Sequence, residues 1–203
     1  MSGGKAGRLL GELAACARAR AAESAGLRSE TLAANAERVA EAARELARRF
    51  TAGGRLFTFG NGGSAADAAT LAALFARPPD GIGLPAWSLS ADETILTALG
   101  NDIGFESVFA RQLAARGQAG DIAVAMSTSG NSADLLTGLR EARRCGMYTV
   151  GFAGYEGGAL ARDTAVDRCF VIRSGSVHRI QEAQALLGYA LWLSVHQHGS
   201  FAG

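Results

Sequence analysis

Apolar and polar positions divide the chain into two regimes. From Leu9 to Ser24, and again from Ser29 to Phe50, the sequence is Ala, Leu, Arg and Glu with apolar side chains recurring at helical spacing. That period predicts two N-terminal helices. Leu32, Val39, Leu46 and Phe50 form one stripe on the second, and Gly53-Gly54 supplies its stop. From Arg55 the period shortens. Strands are expected at 55–59, 86–89, 121–126, 148–152 and 169–172, and helices at 64–76, 93–98, 105–116, 132–145 and 177–196, with Gly, Ser and Asn between them. Strand, loop and helix in alternation are the signature of βαβ units. The expected fold is α/β: a three-layer α/β/α sandwich on a parallel sheet of about five strands. A helical extension over 1–54 would precede a single domain over 55–203.

Length and composition narrow the partners. A chain of 203 residues sustains one well-buried core. Hydrophobic residues are 48%, charged residues 19%, and the formal net charge is +1, so no field gathers nucleic acid or an anionic membrane. Arg18, Arg20, Arg28, Arg38, Arg44, Arg48 and Arg49 alternate with glutamates at helical spacing, as a salt-bridged or solvated face does. Cys16, Cys145 and Cys169 stand apart with no C-x-x-C pair, which reads as free thiols in a reducing compartment. With no long apolar run, a cytoplasmic address is expected, with neither membrane nor direct nucleic-acid binding.

The richest chemistry lies at Ser127-Thr128-Ser129-Gly130-Asn131-Ser132, between an apolar strand and a helix. Such a loop turns backbone N–H groups, hydroxyls and the positive end of a helix dipole toward one point, which suits a phosphate. No lysine stands nearby and G-x-x-x-x-G-K-[ST] is absent, so a monophosphate on a neutral body fits better than a nucleotide. The plain alternative is a strand-to-helix turn in which these residues only cap the helix. A second glycine-rich turn, Gly60-Asn61-Gly62-Gly63-Ser64, follows the first strand. Both turns fall at the carboxyl edge of one parallel sheet, where open α/β folds bind ligands.

GNGGS at 60–64, Leu99-Gly100-Asn101-Asp102, STSGNS at 127–132, Gly157-Gly158 and Arg179-Ile180-Gln181-Glu182 stand in one order. The combination resembles the SIS (sugar isomerase) phosphosugar-binding family over residues 28–198. Within it, the branch of the sedoheptulose 7-phosphate (phosphoheptose) isomerases and the DnaA-initiator-associating proteins is most similar. The resemblance implies phosphate binding by Ser127, Thr128, Ser129 and Ser132. It implies sugar contacts from Asn61, Gly62, Ser64, Asp102 and Gln181. It also implies a homo-oligomer, a tetramer with the N-terminal helices bundled at its centre.

The departures bear on catalysis. In the isomerases of this branch a histidine and a glutamate follow the GNGGS serine by six and ten positions, and a histidine follows the RIQE glutamine by eight. Here Thr70, Leu74 and Tyr189 occupy those places. Leucine moves no proton, and tyrosine is a poor base at neutral pH. A zinc ion, bound there in some members, is not expected, nor is another cofactor. His178 is the candidate replacement, with a capping or surface histidine as the alternative; Asp102, Glu93 and Glu156 fall near the same sheet edge. His196 and His198 read as solvated tail residues, and Leu191 and Trp192 as core or subunit contacts. Two readings stand: a phosphosugar isomerase with an altered catalytic set, or a non-catalytic sugar-phosphate sensor or assembly partner.

Overall fold

The computed structural model describes residues 3–199 and Phe201, with side chains from Ala6 onward. Helix α1 runs Gly3–Thr51 and is followed by β1 Leu56–Gly60, α2 Gly63–Ala76, β2 Ala86–Ser88 and α3 Glu93–Ile103. A 3-10 turn at Phe105–Ser107 leads into α4 Val108–Arg116. Then come β3 Ile122–Met126, α5 Ala133–Arg144, β4 Tyr148–Gly154, β5 Arg168–Ile172 and α6 Val177–His198. All pairings are parallel, in the order β2-β1-β3-β4-β5. The central strands β1 and β3 are buried along their whole length, which is why they read as unbroken apolar runs and not as alternating ones.

Helices cover both faces. On one side α1, α2 and α6 pack Leu46, Phe75, Leu187 and Leu191 against Leu56, Val124 and Phe152. On the other, α4 and α5 pack Phe109, Leu113, Leu135 and Leu139 against Phe57, Phe59 and Ala123. This is the expected three-layer sandwich. At the amino edge of the sheet Asp121 accepts from the Arg55 backbone N–H at 2.8 Å, from the Arg55 guanidinium at 2.7 Å and from the Gln118 N–H at 3.0 Å. That buried carboxylate ties the start of β1 to the start of β3.

Three expectations are corrected. The N-terminal segment is one helix and not two, because the Ser24–Ser29 interval is held against α6: Ser24 bonds Glu182, Arg179 pairs with Glu23, and Leu27 and Leu32 pack on the core. Those contacts outweigh the cost of Gly26 in a helix, about 1 kcal/mol. The third helix continues through Asp102 to Ile103, with Asp92 as its cap accepting from the Ile95 N–H at 3.0 Å. His196 is no solvated tail: its ring lies 5.0 Å from that of Trp192, and Nε2 stands 3.1 Å from the Ile82 carbonyl oxygen.

Residues 6–23 of α1 are exposed throughout, Leu9, Leu10 and Leu13 among them, whereas Val39, Ala42, Ala43, Leu46, Ala47 and Phe50 share the core of the sheet. No described helix is long and apolar enough to cross a membrane.

Candidate functional site

The register of β1 and β3 sets Gly60 opposite Met126, so Asn61 and Ser127 leave the sheet side by side at its carboxyl edge. In the strand order the chain winds outward from β1 to β2 in one direction and from β3 to β5 in the other. The reversal opens a crevice between the two loops, the usual ligand position of doubly wound sheets.

From Ser127 to Gly130 the loop sequesters its carbonyls. Gln184 Nε2 donates to the Ser127 carbonyl at 2.8 Å, the Gly154 N–H to that of Thr128 at 3.0 Å, Asn131 Nδ2 to that of Ser129 at 3.1 Å, and the Leu160 N–H to that of Gly130 at 2.9 Å. Its donors remain. Among the described residues no protein acceptor takes the N–H of Thr128, Ser129, Ser132 or Ala133. Ser127 Oγ accepts from the Gly130 N–H at 2.9 Å and Ser129 Oγ from the Asn131 N–H at 3.2 Å, and the two oxygens lie 3.5 Å apart. Each oxygen already accepts a backbone N–H, and the contact between the two uses one hydroxyl proton, so the other is left to give. Ser132 stands at the cap position of α5, yet its side chain caps nothing. The plain capping reading fails on that residue.

The shape depends on Gly130, whose φ is +68° and at which a Cβ would lie 2.2 Å from the Gly157 carbonyl oxygen. Ala159 N–H also bonds Asn131 Oδ1 at 2.9 Å. The Gly157-Gly158 turn is thus the floor under the serine loop, and Asn131 is its strut.

The other wall is Asn61–Ser64 with the start of α6. Asn61 Nδ2 donates to Asp134 Oδ2 at 2.8 Å, Asp134 being buried in the first turn of α5. Gln181 Nε2 donates to Asp67 Oδ2 at 2.7 Å. Gln181 crosses directly over Gly63, where a Cβ would stand 2.6 Å from Nε2. Burial raises the Asp67 carboxyl above its ordinary value, opposed by the hydrogen bond from Gln181. Asn61 is thus tied to the start of α5 and Gln181 to the first turns of α2, with Ser64 buried and Gly62 exposed on the turn between them.

Comparison with known proteins decides the family. The SIS domain matches residues 21–154, a span that includes both loops. The chain belongs to the SIS domain family. It is 41% identical over 170 residues to a phosphoheptose isomerase of Roseiflexus sp. (strain RS-1), covering 83% of this chain and 85% of that protein. It is 42% identical over 177 residues to a phosphoheptose isomerase of Nitratidesulfovibrio vulgaris (strain DSM 19637 / Miyazaki F), covering 84% and 82%. The solved phosphoheptose isomerase GmhA from Neisseria gonorrhoeae superposes with a TM-score of 0.84 at 34% identity over 91% of this chain and 99% of that one.

Other candidate residues of this SIS domain make no hydrogen bond to those of the two loops. Asp102 is exposed on α3, bonded at 2.9 Å to its neighbour Asn101 and to none of the crevice residues. His178 is exposed in the first turn of α6 and lines a separate cavity of about 530 Å³ with Arg20, Ser24, Ser176, Arg179 and Glu182. Thr70 returns its hydroxyl to the Ala66 carbonyl at 2.9 Å, Leu74 packs on the core, and Tyr189 lies exposed against Trp192. Those three offer no donor set for zinc, and among the described residues no group of three His, Cys, Asp or Glu could hold a metal ion. Asp67, Asp134 and Gln184 were not foreseen. The four-residue interval from Gly63 to Asp67, one helical turn, was the available signal for the first, and the three-residue interval from Gln181 to Gln184 for the last.

Proposed function

We propose that the chain binds a phosphorylated sugar, with the phosphate on Ser127, Thr128, Ser129 and Ser132 and the carbon chain toward Asn61, Gly62, Ser64 and Gln181. The observation that carries this is the polarity of the serine loop: its carbonyls are bonded within the protein, while N–H groups and a hydroxyl proton are left to give. A monoanion or dianion is the complement of such a surface. Kinship with phosphoheptose isomerases makes a seven-carbon sugar phosphate the first substrate to try, and aldose–ketose isomerisation the first reaction. That reaction moves a proton between adjacent carbons and needs a base within reach of the C–H. His178 is the candidate named from the sequence; it lines the cavity beside the start of α6, so its action requires the reacting carbons of the substrate to reach that cavity.

A second reading, a non-catalytic sugar-phosphate sensor or assembly partner, is favoured by one observation. Thr70, Leu74 and Tyr189 carry no acid–base group suited to neutral pH, and their side chains are engaged with helix backbone, core and Trp192. Incubation with sedoheptulose 7-phosphate, with and without zinc, followed by NMR separates the two. A manno-heptose product that disappears in His178→Ala supports the isomerase; tight binding without product supports the sensor. No binding of the sugar phosphate refutes both.

We also propose a homo-oligomer, a tetramer assembled through the exposed half of α1, where Leu9, Leu10 and Leu13 face solvent. A cytoplasmic setting agrees with three free cysteines. Light scattering at the monomer mass would refute the oligomer.

A further inference from the structure

The two amide side chains of the crevice are held in the same way. Asn61 gives an Nδ2 proton to Asp134 and Gln181 an Nε2 proton to Asp67, at 2.8 and 2.7 Å. An ionised carboxylate accepts and cannot donate, so each one dictates which end of its amide faces it. The NH2 groups are drawn back onto α5 and α2. Among the described residues nothing donates to Asn61 Oδ1 or Gln181 Oε1.

We propose that Asp67 and Asp134 are positioning residues that set the polarity of the sugar end of the site. By holding the amide nitrogens, they leave two carbonyl oxygens to accept from the ligand, opposite the donor-lined serine loop. The inference rests on the phosphosugar reading and narrows it. The fitting ligand carries its anion at one end and a run of hydroxyl donors at the other, as an extended polyhydroxy phosphate does. Asp67 is the better probe because it is only partly buried, on the surface turn Gly63–Asp67 of α2, whereas Asp134 is 5% exposed.

Calorimetric titration with inorganic phosphate and with sedoheptulose 7-phosphate tests this on the wild type, Asp67→Ala, Asp67→Asn and Asp134→Asn. The alanine leaves the Gln181 amide free to rotate, so affinity for the sugar phosphate falls about tenfold or more while that for inorganic phosphate stays within about twofold. Each asparagine keeps an acceptor oxygen but adds an NH2 that can turn the facing amide round, so Asp67→Asn recovers only part of the affinity, between Asp67→Ala and wild type, and Asp134→Asn loses part of it. The Gln181 side-chain amide signal in ¹H–¹⁵N spectra should move upfield in Asp67→Ala and return part-way in Asp67→Asn, a graded change that a merely structural role would not produce. Unchanged sugar-phosphate affinity in Asp67→Ala overturns the proposal, as does an equal loss for both ligands. Wild type that binds phosphate but not the sugar phosphate overturns the phosphosugar reading itself, and the proposal with it.

Discussion

Ser127 and Ser129 both face the proposed phosphate, but their surroundings predict different penalties on removal. Ser127 is 4% exposed and its Oγ is the acceptor for the buried Gly130 N–H at 2.9 Å. Ser127→Ala strands that N–H, at a cost of about 1 to 3 kcal/mol. In a chain of this size the loss lowers Tm by roughly 2 to 10 °C. Ser129 is exposed, and the Asn131 N–H that it accepts at 3.2 Å can turn to water instead. Ser129→Ala should change stability by no more than about 0.5 kcal/mol. Binding should respond alike, since each hydroxyl can turn its proton to a charged phosphate, a hydrogen bond worth about 1.5 to 3 kcal/mol, or about 10- to 100-fold in Kd.

Differential scanning calorimetry and titration with a sugar phosphate, run on both variants, give the two readouts. The expected pattern is weaker binding in both and a clear drop in Tm in Ser127→Ala alone. Unchanged affinity in Ser129→Ala, in a protein that still folds, would move the phosphate elsewhere. Equal Tm losses would show that the inner hydroxyl is not the support that its hydrogen bond implies.

Gly130→Ala should abolish sugar-phosphate binding and destabilise the chain by about 2 kcal/mol or more, because its Cβ would lie 2.2 Å from the Gly157 carbonyl oxygen at a φ of +68°; an unchanged Kd would refute the loop-and-floor arrangement. Asp121→Ala removes the carboxylate partner of Arg55 and leaves four donors without their acceptor, and should cost about 3 kcal/mol in urea unfolding with no direct effect on binding. Burial pushes the Cys169 thiol up from 9.0 to about 11, so the folded protein keeps its proton where the unfolded chain loses it. Stability is therefore given up between pH 9 and 11, and at pH 8 a thiol reagent should label exposed Cys16 first and Cys169 only on unfolding. The triple variant Thr70→His, Leu74→Glu, Tyr189→His should gain zinc binding measurable by competition; a folded variant that binds sugar phosphate but no zinc would show that the loss extends beyond those three positions.

Much of the fold was legible because the sheet is parallel and covered on both faces. Runs such as Ile122–Met126 are apolar without alternation, and the Gly, Ser and Asn clusters between them mark each crossing of the sheet edge. The serine loop was legible for the same reason, since its residues lie in one stretch. What escaped was whatever depends on contacts distant in sequence. Ser24 to Ser29 reads as a break until α6 supplies Glu182 and Arg179. His196 reads as a tail until Trp192 and the Ile82 carbonyl enclose it. Asp67 and Asp134 are ordinary helix carboxylates in sequence, and only folding brings them to Gln181, 114 residues away, and to Asn61, 73 away.

The same geometry explains how binding and catalysis can part company in this chain. Gly63, Asp67, Thr70 and Leu74 succeed one another at helical intervals and so fall along one face of α2. α6 packs close against this helix, with the Leu71 side chain 3.1 Å from where a Cβ on Gly188 would lie. The first turn of that shared face is polar and connected: Gln181 reaches Asp67 over Gly63, and Gln184, one turn on, holds the serine loop. Further along, the face becomes Thr70, Leu74 and Tyr189, turned to helix backbone, core and Trp192. Substitutions in the second part leave every hydrogen bond of the first intact. Turnover, and not affinity, is therefore the quantity that discriminates the two readings.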